Sequence, residues 1–145
     1  MKNGRYQEDG IELWYFNDEL HREDGPACVE PDGTKSWYVH GNLHRTDGPA
    51  VIWGDGSQEW WVKGERHRED GPACECANGD KFWYINGELH REDGPAYERA
   101  DGSKEWYIND DLLTEDEFNH HTNPVVEMTI AEIEQLIGKR VKIVK

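Results

Sequence analysis

Positive charge is scarce in this chain: 16 Lys and Arg stand against 31 Asp and Glu, a formal net charge of −15 over 145 residues. A surface of that sign repels nucleic acid and anionic membranes and steers basic proteins inward, so neither nucleic acid nor membrane is an expected direct partner. Long apolar runs are missing as well. No stretch approaches the length that crosses a bilayer, and the opening MKNGRYQEDG has no apolar signal region, so the expected location is the cytoplasm. Cysteine is limited to Cys28, Cys74 and Cys76, an odd number without zinc-type spacing. Apolar residues make up only 35%, yet seven Trp and six Tyr carry large area per side chain, which makes a folded core feasible and disorder a poor reading. The length suits one domain.

What the chain does have is a fixed period. His21, His44, His67 and His90 lie 23 residues apart, followed in step by Arg22, Arg45, Arg68 and Arg91, by Asp24, Asp47, Asp70 and Asp93, and by Gly-Pro-Ala triplets. A second motif keeps the same step: Asp-Gly or Asn-Gly at Asp9, Asp32, Asp55, Asn78 and Asp101, then an aromatic pair beginning at Trp14, Trp37, Trp60, Trp83 and Trp106. Cys28 and Cys74 share a phase two units apart. With one hairpin per unit and strands about 4.8 Å apart they stand roughly 19 Å from each other, beyond disulfide reach, and reduced structural thiols are expected.

Each unit reads as strands and turns. Asp-Gly and Asn-Gly suit a two-residue type I′ turn, so PAVIWGDGSQEWWV is expected to be a hairpin turning at Asp55-Gly56, with a further turn at NG, HG or KG. Alternation puts Trp14 with Phe16, Trp37 with Val39, Trp60 with Val62, Trp83 with Ile85 and Trp106 with Ile108 on one face, the expected core, and Tyr15, Tyr38, Trp61, Tyr84 and Tyr107 on the other as an aromatic ladder. The fifth unit replaces its His-Arg with Leu113-Thr114. TEDEFNHH then reads as a short helix with a capping box at Thr114 and Glu117, and TIAEIEQLIG as another at Thr129 and Glu132, ending at Gly138. RVKIVK alternates as a final strand. The expected fold is mainly β: residues 1–113 as repeated β-hairpins in an elongated antiparallel sheet, and residues 114–145 as a capping segment of short helices and a strand.

The repeated His and carboxylates argue for folding rather than chemistry. Metal ligands must converge within about 2 to 2.6 Å of one ion, whereas equivalent His residues in successive hairpins stand roughly 10 Å apart. An active site needs groups whose environments differ, and four near-identical clusters supply no such difference. NHHTNP faintly resembles part of a metal-dependent nuclease motif, but its remaining ligands are absent. No enzyme activity, cofactor or metal is therefore expected. His21, His44, His67, His90 and Asp24, Asp47, Asp70, Asp93 are read as turn chemistry: Asp accepting from backbone N–H groups, Gly in a conformation other residues avoid, Pro opening the next strand, Arg pairing with a carboxylate and His donating to a carbonyl. Glu23, Thr46, Glu69 and Glu92 are the exposed, variable position.

The 23-residue unit with its aromatic, NG, His and DG landmarks resembles MORN-type repeats in their divergent, MORN-like form. The wording LHREDGPA and DGxKxWYxNG is similar to repeat proteins encoded by bacteriophages and large DNA viruses, and IAEIEQLIGKRVKIV to a short C-terminal segment on phage proteins. The similarity spans residues 9 to about 112 and the tail. It departs from the usual unit, which has a Gly soon after the His where this chain has RED or RTD, and with the acidity this argues against lipid binding. The resemblance implies a scaffold for protein contacts. The favoured expectation is a non-enzymatic acidic module, a phage-encoded inhibitor that blocks a host nucleic-acid-binding or defence protein (of anti-CRISPR or anti-restriction type) at its basic cleft, in the host cytoplasm. The partner-facing candidates are Glu23, Glu69, Glu92, Glu65, Glu88, Tyr38, Trp61 and Tyr84. Two other classes stand beside it: an aromatic repeat that binds glycan or choline-type groups, and a virion or assembly part that forms a homodimer through an open sheet edge.

Overall fold

In the computed structural model, which describes residues 1–124 and 129–138, the repeat builds one long antiparallel meander. Its strands follow in chain order: Gly4–Glu8, Ile11–Phe16, Cys28–Val29, Lys35–Ser36, Val51–Ile52, Gln58–Glu59, Cys74–Glu75, Lys81–Phe82, Tyr97–Glu98, Lys104–Ile108 and Asp111–Leu113. Glu19–Leu20 pairs back onto Ile11–Phe16. The register carries one row of residues straight through the units, from Leu13 to Cys28, Ser36, Val51, Glu59, Cys74, Phe82, Tyr97 and Glu105.

Two kinds of turn alternate, and they differ from the expectation. The turns at His40-Gly41, Lys63-Gly64 and Asn86-Gly87 close two-residue loops with positive φ at both positions, the type I′ geometry. Of the second motif's pairs at Asp9, Asp32, Asp55, Asn78 and Asp101, only Asp9-Gly10 does the same. At Asp32, Asp55, Asn78 and Asp101 only the following glycine has positive φ, and that glycine donates to the carbonyl three residues back, as Gly56 does to Trp53 at 3.0 Å. These are type I turns with a glycine bulge. The side chain fixes the difference: Asp32 and Asp55 accept from the backbone N–H two residues on, at 2.9 and 2.8 Å, an arrangement that holds the Asp itself in ordinary right-handed backbone.

The second hairpins, Tyr38–Val39 with Asn42–Leu43, Trp61–Val62 with Glu65–Arg66, and Tyr84–Ile85 with Glu88–Leu89, form small two-stranded sheets beside the meander. Each is tied to its neighbour. Gly41 donates to Leu20 and Gly64 to Leu43, both at 2.9 Å, and Arg45 donates its backbone N–H to Trp61 at 3.1 Å.

The core also differs from the expected Trp face. Among the described residues, the buried apolar ones are the alanines of the Gly-Pro-Ala triplets, Ala27, Ala50, Ala73 and Ala96, with Val51, Cys74 and Phe118, and of the expected face Ile108. Trp37, Trp60 and Trp83 are half-buried. Each of these alanines is bonded through its backbone to its neighbours in the sheet, as Ala27 N–H donates to Ser36 at 2.9 Å and Trp14 N–H to Ala27 at 2.8 Å.

The ends are unlike. Glu115–Thr122 forms the expected helix, its N-terminus closed by the Thr114–Glu117 capping box, and its Phe118 packs in against the last two strands. Ile130–Ile137 is the second expected helix, with its own capping box and left-handed Gly138. Its Ile130, Leu136 and Ile137 side chains are exposed. The expected strand at RVKIVK lies outside the described residues. At the other end, Gly4–Glu8 is an edge strand paired on one side only.

Candidate functional site

The His-Arg-x-Asp segments are the joints of the array, and their chemistry is specific. Each arginine donates from Nε to the Asp two residues on, at 2.6 to 2.8 Å in all four units, and from an Nη to the proline carbonyl four residues on, at 3.1 to 3.3 Å. Its guanidinium lies 4.0 to 4.2 Å from the centroid of Trp14, Trp37, Trp60 or Trp83. The Asp therefore accepts chiefly from Arg rather than from backbone N–H groups. That contact holds the carboxyls of Asp24, Asp47, Asp70 and Asp93 below their ordinary pKa.

Two further expectations about this turn are corrected. The glycines of the triplets have no positive φ. They are glycine because the arginine lies across them: a Cβ on Gly71 would sit 3.0 Å from the Arg68 guanidinium carbon. Three of the histidines accept rather than donate: Nδ1 of His21, His44 and His67 takes the backbone N–H of His40, Lys63 and Asn86 at 3.1 Å. Nδ1 of His90 faces both the Asn109 side-chain oxygen at 2.8 Å and the Asn109 backbone N–H at 3.3 Å, so its tautomer sets whether it donates to the first or accepts from the second. Those donors sit in the next unit's type I′ turn, so each imidazole pins its neighbour's second hairpin. An accepting Nδ1 leaves the ring proton on Nε2. In three units this atom lies 3.7 to 3.8 Å from Glu23, Glu69 or Glu92.

Successive joints enclose recesses. Three are equivalent, with volumes of about 470, 690 and 510 Å³: between residues 22–25 and 44–47, between 45–48 and 67–70, and between 68–71 and 90–93. Their floors are Trp37 with Val39, Trp60 with Val62, and Trp83 with Ile85, and their rims are the acids of the two joints, with Thr46 in place of a Glu in the first two. The Asp charge at each rim is met by its own arginine. The Glu charge is met only by that distant Nε2, so Glu23, Glu69 and Glu92, with side chains 87, 85 and 78% exposed, remain available.

The other predicted residues lie elsewhere. Glu65 and Glu88 are exposed at the first position after the turns of the second hairpins. Tyr38, Trp61 and Tyr84 are half-buried on the opposite face from the recesses. There burial raises the pKa of Tyr38 and Tyr84. The structure does not bring these aromatics together with Glu23, Glu69 and Glu92 in one recess. The sequence reading missed Glu59, a buried carboxylate on that second face that accepts from Trp61 Nε1 at 2.8 Å, Trp53 Nε1 at 3.3 Å and Arg66 Nε at 3.3 Å. Its equivalents are Ser36, Phe82 and Glu105, so no periodic signal marks it. Cys74 and Cys76 lie on the same strand face with sulfurs 3.7 Å apart, and burial pushes the Cys74 thiol up to about 12.

Among the described residues no group of three or more His, Cys, Asp and Glu side chains is arranged to hold a metal ion, and no helix is long and apolar enough to cross a membrane. No protein-family model matches the chain, and no curated protein matches it.

Proposed function

We propose that this chain is a non-enzymatic, protein-binding repeat module that presents a periodic line of carboxylates to a basic surface of its partner. One observation carries the reading: the recurring Arg, Asp and His of each joint are engaged internally, while Glu23, Glu69 and Glu92 stand exposed without a structural partner at hydrogen-bond distance. Arg, Asp and His build the fold; the glutamates are left for contact. A net charge of −15 adds long-range attraction for a cationic cleft such as one that holds nucleic acid. With the resemblance to phage and viral repeat proteins, the proposed role is a phage-encoded inhibitor that blocks such a host or defence protein by steric and electrostatic competition. Affinity capture from bacterial lysate at low and high salt tests it. Retention of a nucleic-acid-binding protein that is weakened by salt and by Glu23→Gln, Glu69→Gln and Glu92→Gln together supports the reading, and equal retention by the neutralised variant contradicts it.

The choline-type alternative is weakened by the arginine already laid over each recess Trp, since a cage of that kind needs the ring face for the ligand cation. The uncovered edge strand Gly4–Glu8 favours a second reading, self-association through that edge. Sedimentation that finds only monomer at high concentration contradicts it.

A further inference from the structure

The three recesses repeat at the pitch of the array, and that pitch selects the backbone of what can occupy them. We infer that they seat a polyproline II segment of the partner carrying Lys or Arg at every third residue, one cation per recess. The inference rests on the protein-binding reading above. Each unit adds two strands to the meander. At about 4.7 to 4.9 Å per strand, equivalent points therefore stand about 9.4 to 9.8 Å apart.

A polyproline II chain turns once every three residues and rises about 3.1 Å per residue, so every third side chain faces the same way at about 9.3 Å. That keeps step with the recesses to within roughly half an ångström per unit. Other backbones fit worse. In an extended β segment, residues three apart face opposite sides. An α-helix returns to the same face after seven residues, at about 10.5 Å, and drifts out of step by roughly 1 Å per unit.

The lining agrees with the pitch. Beside each arginine-covered Trp, Val39, Val62 or Ile85 leaves an apolar strip of floor against which a proline ring can pack. The arginine over that Trp is paired to its Asp and forms a wall rather than a free cation. The uncompensated charge at the rim is therefore glutamate. Glu69 lines two of the three recesses, Glu23 and Glu92 one each, and Thr46 stands in the fourth position. A cation on the segment meets Glu69 most often, so Glu69 should matter most.

Titration of the full chain with peptides, followed by Trp fluorescence and calorimetry, tests this. The probes are Pro-Pro-Lys repeated three times, a peptide of the same composition with its lysines contiguous, and, longer than these, a helical peptide of about 20 residues with three Lys spaced seven apart. The expected result is about tenfold tighter binding of the spaced proline peptide than of either other probe. Glu69→Gln should weaken that peptide about fivefold and more than Glu23→Gln, with melting temperature unchanged. Equal affinity for all three peptides, or preference for the helix, overturns the inference while leaving the acidic binding module intact. Absence of binding by every lysine peptide at low salt overturns the inference, and the lysate capture then decides separately whether the module reading survives.

Discussion

At the residue scale, the side chains that hold the fold are distinct from those that face outward. Lys63 and His40 occupy left-handed positions, φ 53° and 47°, that their neighbour Asn86 fills in the same phase. Lys63→Asn should therefore stabilise the chain by about 0.5 to 1 kcal/mol in denaturant melts, since only Gly and Asn or Asp visit that region at little cost. Gly54→Ala should do the reverse, costing about 1 to 3 kcal/mol, because a Cβ there overlaps the Asp32 carbonyl oxygen of the preceding loop. The depressed carboxyls of Asp24, Asp47, Asp70 and Asp93 set an acid limit. A group whose folded pKa lies below its unfolded value near 4 contributes stability above that value and loses it as pH falls through the folded pKa. Thermal melts should drop below about pH 4, and Asp70→Asn with Asp93→Asn should shallow that drop; an unchanged slope would contradict the assignment. The Arg–Asp pairing was half legible in the sequence. What it could not carry was the arginine's path over the glycine and onto the Trp, because that path depends on where the next strand lies.

At the scale of elements, the strands, the I′ turns at HG, KG and NG, and both capped helices follow from local chemistry, and the sequence displays them. The Asp-Gly turns were misread because the same dipeptide serves two loop lengths, and only the closing hydrogen bonds tell them apart. The core face was misread for a different reason. Alternation assigns Trp37 and Val39 to one side but does not say that the joints roof that side only in part, nor that the small alanines, not the large aromatics, occupy the closed interior. The helix Glu115–Thr122 gives a direct test of what closes the array. Phe118 is 4% exposed against the last hairpin, so Phe118→Ala should cost about 3 kcal/mol or more in urea unfolding. A loss under about 1 kcal/mol would mean that the helix merely rests on the sheet.

For the whole molecule, the charge and the repeat act together. A rigid array repeats the same exposed glutamate joint in three of its four units, with Thr46 in the remaining one, and an overall −15 adds reach at low ionic strength. The candidate residues on the joints were legible from periodicity, because position 23 and its equivalents vary between Glu and Thr while their neighbours do not. The recesses were not, since each is built from two units and has no signature within one. Parallel capture of binding partners by the wild-type chain and by the Glu23→Gln, Glu69→Gln, Glu92→Gln variant, at low and high salt, tests the central claim most directly. The account predicts that both proteins melt alike, that wild type retains a basic protein in a salt-sensitive way, and that the variant retains much less of it. Equal retention by a variant that folds as well as wild type would show that the exposed glutamates serve solubility alone.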